Sequence, residues 1–215
     1  MTVLTIFLDT APERTAENLL KRDFYASRPN EKWVTDVTEF KWYEGPVCHK
    51  LYLSAILDLY DRSVVSYVLS RHNDNKLVFR TFDKAIAANP GARPLFHSDR
   101  GFQYTSPAFQ MKLNKQQIEQ SMSRVGHCID NGPVEGFWGI IKAEMFYLYK
   151  FTDETSLRTA ITNYIHFYNY ERLQERFGNC TPIQVRTAAL RTDLPIQYPI
   201  PENKRVQKFK AKFAA

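Results

Sequence analysis

The spacing of strand-like segments is the feature that most limits what this chain can fold into. Residues 33–40, 51–59 and 64–70 are rich in β-branched, aromatic and aliphatic side chains, and the segments between them are short. Such compositions are typical of strands that are buried on at least one face. Antiparallel strands can be joined by a tight turn, whereas parallel strands need a long crossover. The sequence therefore predicts an antiparallel meander of three strands.

Helix-like segments alternate with strand-like segments after this meander. Apolar residues recur at helical spacing from Val78 to Ile86 and stop before a breaker cluster at residues 89–91. Two further strands are predicted at residues 93–97 and 118–123, and further helices are predicted between and after them. This order predicts an α/β fold with a mixed five-stranded sheet flanked by helices, which is compatible with an RNase H-like fold.

Two of the predicted helices begin with a cap residue followed by a proline. Ser106 precedes Pro107, and Asn131 lies two positions before Pro133. A Ser or Asn side chain at this place accepts a hydrogen bond from the first helical turn, and proline suits the first positions of a helix. We therefore predict that both residues cap their helices, the second of which reaches about Tyr147. A further amphipathic helix is predicted from about residue 153.

The length of the chain suits one substantial core. Its 215 residues are 44% hydrophobic and 24% charged, which is typical of a globular protein. We predict an N-terminal leader at residues 1–32, with a short helix over residues 12–22. We further predict a core at residues 33–175 and a basic C-terminal extension at residues 176–215.

The charge balance suits a polyanionic partner without establishing one. The chain has 29 Lys and Arg residues against 23 Asp and Glu residues, which gives a net charge of +6. Five basic residues follow the last acid of the chain: Lys204, Arg205, Lys208, Lys210 and Lys212. This segment could contact DNA or be a solvated tail, and the sequence leaves both interpretations open.

The sequence favours a cytosolic protein with no membrane partner. No apolar run approaches the roughly 20 residues that cross a bilayer, and the first residues lack the basic segment and cleavage site of a signal peptide. The cysteines Cys48, Cys128 and Cys180 are too far apart to suggest a zinc framework, so we interpret them as ordinary thiols in a reducing compartment.

Three acidic residues lie where packing does not explain a carboxylate. Asp36 lies inside the first strand, Asp99 follows the fourth strand, and Glu135 lies in the first turn of a helix. If the first and fourth strands are neighbours, two of these acids meet at one edge of the sheet, and the helix could bring the third over them. Clustered carboxylates repel each other unless cations neutralise them, and hard oxygen ligands select Mg²⁺ or Mn²⁺.

Each acid also has an ordinary structural explanation. An aspartate after a strand is often a turn residue, and a glutamate in a first helical turn is favoured by the helix dipole. The residues around the acids distinguish the two explanations, because they carry a resemblance to a known family. The segments are WVTDVTEF around Asp36, FHSDRGFQYTS around Asp99 and residues 121–135 ending at Glu135.

These segments resemble the insertion-sequence transposases of the integrase superfamily, in the branch whose catalytic part is the second open reading frame. The 35 residues between Asp99 and Glu135 match the D,D-35-E pattern of that family. The resemblance implies an RNase H-like catalytic core, two divalent ions, and the cleavage and joining of DNA strands. In the hypothesis that follows, Asp36 bridges both ions, and the other two acids each hold one.

The predicted DNA contacts are basic residues near the three acids. Lys142 follows Glu135 by seven residues, which is two helical turns, so the two side chains share a helix face. The family often has a basic residue there, although a plain surface lysine is the alternative. Arg100 and Arg124 lie within the motifs and are the other predicted DNA-binding residues.

Other notable polar residues are expected to have structural roles. His97 is expected to shape the loop of the second acid, with a catalytic role as the minority interpretation. Tyr164 and Tyr168 recur at helical spacing and are expected to pack in the core. Asp58 and Asp61 lie at a hairpin turn, where aspartate is common, so we place them outside the site.

The partners expected from the resemblance are double-stranded DNA and further copies of the chain, because joining two DNA ends favours an oligomer. Related transposases usually carry an upstream helix-turn-helix region, which we expect to be supplied by a fused or separate partner. Two alternatives stay open. One is an RNase H-like nuclease that only hydrolyses, and the other is a non-catalytic or truncated DNA-binding remnant.

Overall fold

A five-stranded mixed sheet forms the centre of the computed structural model, which describes residues 15–126 and 128–200. The strands are β1 (Lys32–Glu44), β2 (Val47–Asp58), β3 (Val64–Ser70), β4 (Leu95–Ser98) and β5 (Gln120–Met122). Their order across the sheet is β3-β2-β1-β4-β5. The first three strands pair antiparallel, as the meander predicts, and β4 and β5 pair in parallel.

The parallel pairing of β1 with β4 fixes the place of two predicted site residues. In this pairing Lys32 lies opposite Leu95, and Val34 lies opposite His97. The same register, continued by two residues, places Asp36 level with Asp99 just beyond the end of β4. The first and fourth strands are therefore neighbours, which the sequence had left as a possibility.

Six α-helices within the described residues surround the sheet. They are α1 (Asn75–Ala88), α2 (Phe102–Thr105), α3 (Pro107–Lys115), α4 (Gly132–Glu144), α5 (Glu154–Tyr170) and α6 (Pro182–Ala189). None of the helices in the part of the chain that the structure describes is long and apolar enough to cross a membrane.

The helices cover both faces of the sheet. The side chains of β1 alternate between these faces, so successive residues of the strand pack against different helices. Trp33 is buried in one hydrophobic cluster with Phe82 of α1 and Phe109 of α3. Val34 is buried in the other cluster with Val134 of α4 and residues of α5 and α6. Each such buried side chain stabilises the fold by about 1.5–3 kcal/mol. Packing on both faces holds the two acids of the sheet in place.

The N-terminal segment differs from the prediction. Residues 15–22 do not form the predicted helix, and residues 12–14 lie outside the described residues. The segment instead follows the edge of the sheet beyond β5, where Leu20 is buried and its backbone N–H donates to Ser121 Oγ at 3.0 Å. The backbone N–H of Met122 donates to the carbonyl of Glu17 at 3.1 Å. These tertiary bonds replace the bonds of an isolated short helix, which is marginally stable in water.

The start of α4 also corrects a prediction. The helix begins at Gly132, as expected, but the side chain of Asn131 makes no capping hydrogen bond. Its Nδ2 donates instead to the carbonyl of Thr35 in β1, at 3.0 Å. A 3-10 turn at Cys128–Asn131 precedes the helix and turns this side chain toward the sheet. Asn131 therefore fastens α4 to β1, while Ser106 caps α3 as predicted, accepting from Phe109 N.

The helix α5 and the segment after it pack against the same sheet face. Tyr164 and Tyr168 are buried in this cluster, so the prediction that they pack is confirmed. Phe177 and Val185 belong to the same cluster. The hydrophobic packing thus continues beyond residue 175, and the division of the chain into domains stays a prediction. The basic tail predicted after Glu202 lies outside the described residues.

The turn between β2 and β3 is attached to α6 by a buried ion pair. Asp58 and Asp61 are fully buried and accept hydrogen bonds from the turn backbone, at Tyr60 N and Ser63 N. In addition, Arg186 Nη1 lies 2.9 Å from a carboxylate oxygen of each aspartate. Burial and the neighbouring Asp58 raise the pKa of Asp61, and Arg186 opposes this rise. Both aspartates therefore have a structural role beyond the turn.

We predict that Arg186→Met lowers the free energy of unfolding by about 3–5 kcal/mol, because it leaves two buried carboxylates without their cation. Arg191→Met is the matched control, since Arg191 is exposed at the end of the same helix. Urea unfolding of both variants measures the difference. Equal unfolding midpoints for the two variants would contradict the role of the buried pair.

Candidate active site

The structure brings the three predicted acids together in one open pocket. Asp36 from the middle of β1, Asp99 from the loop after β4 and Glu135 from the first turn of α4 all line it, and its volume is about 570 Å³. The three residues come from separate elements, so the sheet pairing and the docking of α4 create the pocket. Their roles in catalysis and metal binding stay predictions.

The carboxylate of Asp36 is bonded by a tryptophan, while burial and nearby acids disfavour its ionised form. The Nε1–H of Trp138 donates to Asp36 Oδ2 at 2.9 Å. Burial raises the pKa of Asp36 to about 6 from an ordinary value of 3.8, and repulsion by Asp99 and Glu135 adds to this rise. The hydrogen bond from Trp138 opposes it by stabilising the carboxylate. This acid therefore releases its proton only near neutral pH when no cation is present.

Asp99 lies at a close approach of the backbone. The N–H of Gly101 donates to Asp99 Oδ1 at 2.9 Å. A Cβ atom on Gly101 would lie only 3.0 Å from this same oxygen and 3.0 Å from Gln103 Oε1, so these side chains would have to shift slightly to admit a larger residue. Burial raises the pKa of Asp99, and the Gly101 hydrogen bond lowers it. The glycine of this motif thus keeps the aspartate in the pocket.

Glu135 owes its position to the attachment of α4. Asn131 bonds the backbone of Thr35, the residue before Asp36, and thereby fixes the start of the helix next to β1. Val134 and Phe137 on the inner face of the helix are buried in the core. Burial raises the pKa of Glu135. All three acids of the pocket are therefore harder to ionise than in water.

The chemistry of the pocket fits divalent cations. No salt bridge within the described residues involves any of the three carboxylates. Carboxylate oxygens are the ligands that Mg²⁺ and Mn²⁺ prefer, and a cation would offset the repulsion that raises the pKa of Asp36. Among the described residues, no three His, Cys, Asp or Glu side chains are arranged to hold one ion together.

The two arginines predicted to bind DNA line the same pocket but are already bonded to it. Arg124 holds Asp130 through two bonds of 2.9 Å, from Nε and Nη2. The arginine holds the pKa of Asp130 far below its usual range. Arg100 Nε donates to the carbonyl of Ser123 at 2.8 Å. Both arginines support the pocket wall, and their contact with DNA stays a prediction.

Lys142 lies beside this pocket rather than among its lining residues. Its Nζ lies 5.7 Å from the centre of the Phe40 ring, which suits a cation–π contact. Burial lowers the pKa of Lys142, while Glu39 and Asp36 oppose this shift by their negative charge. The lysine is thus within electrostatic reach of the acids, which is where a DNA phosphate contact is predicted.

Several functional supports were missed by reasoning from the sequence. Trp138 follows Glu135 by three residues and so shares its helix face, which was the available signal. Gly101 follows Asp99 by two residues, a spacing that suits a tight turn. The bond from Asn131 to the sheet had no such signal, because it joins residues that lie far apart along the chain.

His97 has a structural role, but its ring bonds the end of β5 rather than the loop of Asp99 that it was expected to shape. It is fully buried, with Nδ1 at 2.8 Å from Ser121 Oγ and Nε2 at 3.1 Å from Ser123 Oγ. Burial lowers its pKa to about 4, so the ring is neutral at pH 7. It joins β4 to the end of β5 and does not line the acidic pocket.

Comparison with known proteins agrees with the fold and the pocket. The chain matches the Integrase core domain family over residues 26–128 and a second Integrase core domain family over residues 135–190. It is 43% identical over 175 residues to a transposase-like protein of Haemophilus influenzae, covering 81% of this chain and 79% of that protein. It is 35% identical over 171 residues to InsF of Escherichia coli, the transposase for insertion sequence IS3A, covering 79% of this chain and 58% of InsF. The chain belongs to the insertion-sequence transposases with an integrase core domain.

Solved structures show the same fold at low sequence identity. A chain of the simian T-cell lymphotropic virus intasome aligns with a TM-score of 0.67 and 21% identity, covering 90% of this chain and 66% of that one. The HTLV-2 integrase catalytic core domain in complex with magnesium aligns with a TM-score of 0.57 and 24% identity, covering 74% of this chain and 97% of that one. The predicted RNase H-like fold is thereby confirmed.

We predict that Asp36→Asn stabilises the metal-free protein by about 1–3 kcal/mol at pH 8. The raised pKa means that the folded state pays for ionising Asp36 as pH rises from about 4 to about 6, and asparagine removes this cost. The gain should therefore shrink as pH falls through that range. Denaturant unfolding at pH 8 and pH 4 measures it, with the exposed Asp193→Asn as control. An unchanged stability of Asp36→Asn at pH 8 would show that the acid is not destabilised.

We predict that Trp138→Phe raises the pKa of Asp36 above about 6, because it removes the hydrogen bond that stabilises the carboxylate. Carboxyl-carbon NMR titration of the metal-free protein measures this pKa. The control is Asp153, an N-cap aspartate far from Trp138 in the sequence, whose pKa should not change. If the pKa of Asp36 is the same in the variant and the unaltered protein, Trp138 does not stabilise this carboxylate.

Proposed function

We propose that this chain is the catalytic core of a DNA transposase, which cuts and joins DNA strands by metal-dependent phosphoryl transfer. The observation that carries the proposal is the convergence of Asp36, Asp99 and Glu135 in one open pocket. The family to which the chain belongs supports the same chemistry. The chain spans about three fifths of the length of InsF, so the activity of a whole transposase is part of the proposal.

The three carboxylates would hold two divalent ions, Mg²⁺ or Mn²⁺. Asp36 would contact both ions, because the charges of Asp99 and of Glu135 both raise its pKa, so it is within electrostatic reach of each. Asp99 and Glu135 would each contact one. When bound, such ions polarise the scissile phosphate and favour ionisation of an attacking hydroxyl.

The residues around the acids would prepare the pocket for this chemistry. Trp138 holds one oxygen of Asp36, and Gly101 holds one oxygen of Asp99, so both carboxylates are oriented before a cation arrives. Lys142 would attract a phosphate on the side of the pocket next to Phe40. Arg100 and Arg124 would add positive potential at the pocket wall, because Asp130, the partner of Arg124, is shared with Arg22.

The partners are also part of the proposal. The polymer bound is double-stranded DNA at the ends and target of a mobile element, and the nucleoid of a bacterium would be the place of action. Joining two ends would require more than one copy of the chain. A helix-turn-helix region, fused or separate, would supply recognition of the element ends.

The proposal is tested with two labelled DNAs. One carries the terminal repeats of the host element, and the other is a branched DNA whose 3′-hydroxyl lies next to the scissile phosphate. The branched DNA needs no recognition of ends, because its reactants are already held together. We expect joining of the branched DNA with Mg²⁺ or Mn²⁺ and none with EDTA.

We predict that Asp36→Asn, Asp99→Asn and Glu135→Gln each lower the rate of joining by at least about 100-fold, because each removes a ligand charge. Asp193→Asn should retain full activity. Degradation without joining would indicate the nuclease alternative, and binding without any metal-dependent reaction would indicate the non-catalytic alternative. Either outcome, or retained activity of one of the three variants, would contradict the proposal.

A further inference from the structure

A second concave surface lies further along β1 from the acidic pocket. This surface, the aromatic groove, has a volume of about 600 Å³. Its lining residues include Lys41, Tyr43, Phe146, Tyr147, Tyr149 and Lys150. No aspartate or glutamate lines it. Most of its wall is aromatic, which is unusual for a surface that stays in contact with water.

The tyrosines of the groove are exposed rather than packed in the core. The exposed fractions are 71% for Tyr147, 65% for Tyr149 and 54% for Tyr43. Beneath them the rings of Phe146 and Phe151 are stacked, with centres 5.9 Å apart and planes within 7° of each other. The floor is therefore fixed by packing, while the rim offers free aromatic faces.

The groove and the acidic pocket lie at different positions along the same strand, β1. Strand β4 pairs with β1 only from Lys32 to Val34, so the edge of β1 beyond Asp36 is not covered by β4. At the far end of this edge, Tyr43 N donates to the carbonyl of Phe151 at 3.3 Å, which brings the groove onto the strand. Seven residues of strand separate Asp36 from Tyr43, a span of about 23 Å. A DNA strand stacked as in a duplex, at about 3.4 Å per nucleotide, covers that distance in roughly seven nucleotides, and a more extended unpaired strand needs fewer.

A lysine and two contacting phenylalanine rings lie between the acidic pocket and the aromatic groove. Lys142 lies over the ring of Phe40, and Phe40 meets Phe146 edge to face with ring centres 5.1 Å apart. Lys150 is exposed at the rim of the groove. Lys41 is half exposed and lies 3.5 Å from Glu39, so part of its charge is offset. Lys142 thus places positive charge near the acidic pocket, and Lys150 places it at the rim of the groove.

We propose that the aromatic groove binds unpaired nucleotides of a DNA strand that leaves the acidic pocket, by stacking bases on Tyr147 and Tyr149. Aromatic faces combined with a positive rim are the features that bind single-stranded nucleic acid without reading its sequence. A closed duplex hides the faces of its bases, so the groove would favour a frayed end or a single-stranded extension. The placement next to the pocket rests on the proposed function.

The occupant we infer is DNA rather than a second copy of the chain. The lining of the groove has two lysines and no acid, which complements a polyanion even though Glu39, outside the lining, offsets part of the charge of Lys41. The groove also lies along the strand that carries Asp36, where a DNA substrate is already proposed. Phosphates would meet the lysines at the rim, and the bases would meet the tyrosine rings inside. An apolar interface between two copies is therefore treated as an outcome of the test.

The test measures binding in EDTA, so it does not depend on metal chemistry. Fluorescence anisotropy compares a blunt duplex with the same duplex carrying a six-nucleotide single-stranded extension. The full chain should bind the extended duplex more tightly. We predict that the double variant Tyr147→Leu with Tyr149→Leu binds the extended duplex at least about five-fold more weakly, because base stacking is lost. Its binding to the blunt duplex should change less than two-fold.

Two controls make the outcome specific. Tyr170→Leu removes an exposed tyrosine on α5 that does not line the groove, and it should leave both affinities unchanged. Lys150→Gln should weaken binding of the extended duplex and reduce its salt dependence by about one unit of slope. Thermal unfolding of each variant checks that the fold is retained.

Three results would overturn the proposal. In the first, the unaltered chain binds the two duplexes equally. In the second, the double tyrosine variant still prefers the extended duplex. In the third, the sedimentation of that variant changes while its DNA binding does not. The last result would identify the groove as an interface between copies. The variant Asp99→Asn should keep its preference for the extended duplex, so failure of the proposed catalysis and failure of the groove are distinguishable.

Discussion

Burial of three carboxylates in one pocket, with repulsion of Asp36 by the other two, is the constraint on which the rest of the structure depends. Asp36 meets Asp99 because β1 and β4 pair in parallel, and it meets Glu135 because α4 is fastened across the sheet. The free-energy cost of ionising Asp36 in the folded protein is reflected in its pKa, which burial and repulsion by both neighbours raise to about 6. Such a cluster is tolerated when the rest of the fold holds it in place. A divalent cation is the partner that would remove the cost.

The supports of the pocket are spread over distant parts of the chain. Asn131 bonds the strand beside Asp36, Trp138 holds one carboxylate, and Gly101 holds another while leaving room for it. The sheet itself is locked at its other end, where Arg186 of α6 pairs with two buried aspartates. The acids can therefore converge only in the complete fold. Positive charge lies both at the pocket wall, where Asp130 is shared by Arg22 and Arg124, and beside the pocket at Lys142.

The sequence predicted the framework because periodicity and turn residues determine it locally. The three-stranded meander and the position of Glu135 at the start of a helix followed from short segments. The pairing of the first and fourth strands was left open by the sequence, because it joins residues about 60 positions apart. The roles of Asn131 and the N-terminal segment were predicted wrongly, because their hydrogen bonds go to β1 and to the edge of β5 rather than to their own neighbours. The ion pair of Arg186 with Asp58 and Asp61 joins residues more than 120 positions apart. No local pattern contains that information.

The most direct test of the central claim is calorimetric titration of the metal-free protein with Mn²⁺ at pH 6, in two buffers that differ in their enthalpy of ionisation. A cation site built from these carboxylates should bind the ion and release a proton to the buffer, since Asp36 is about half protonated at that pH. Both the binding and the proton release should disappear in Asp36→Asn. Binding that releases no proton, or that is the same in this variant, would show that the three acids do not form the cation site.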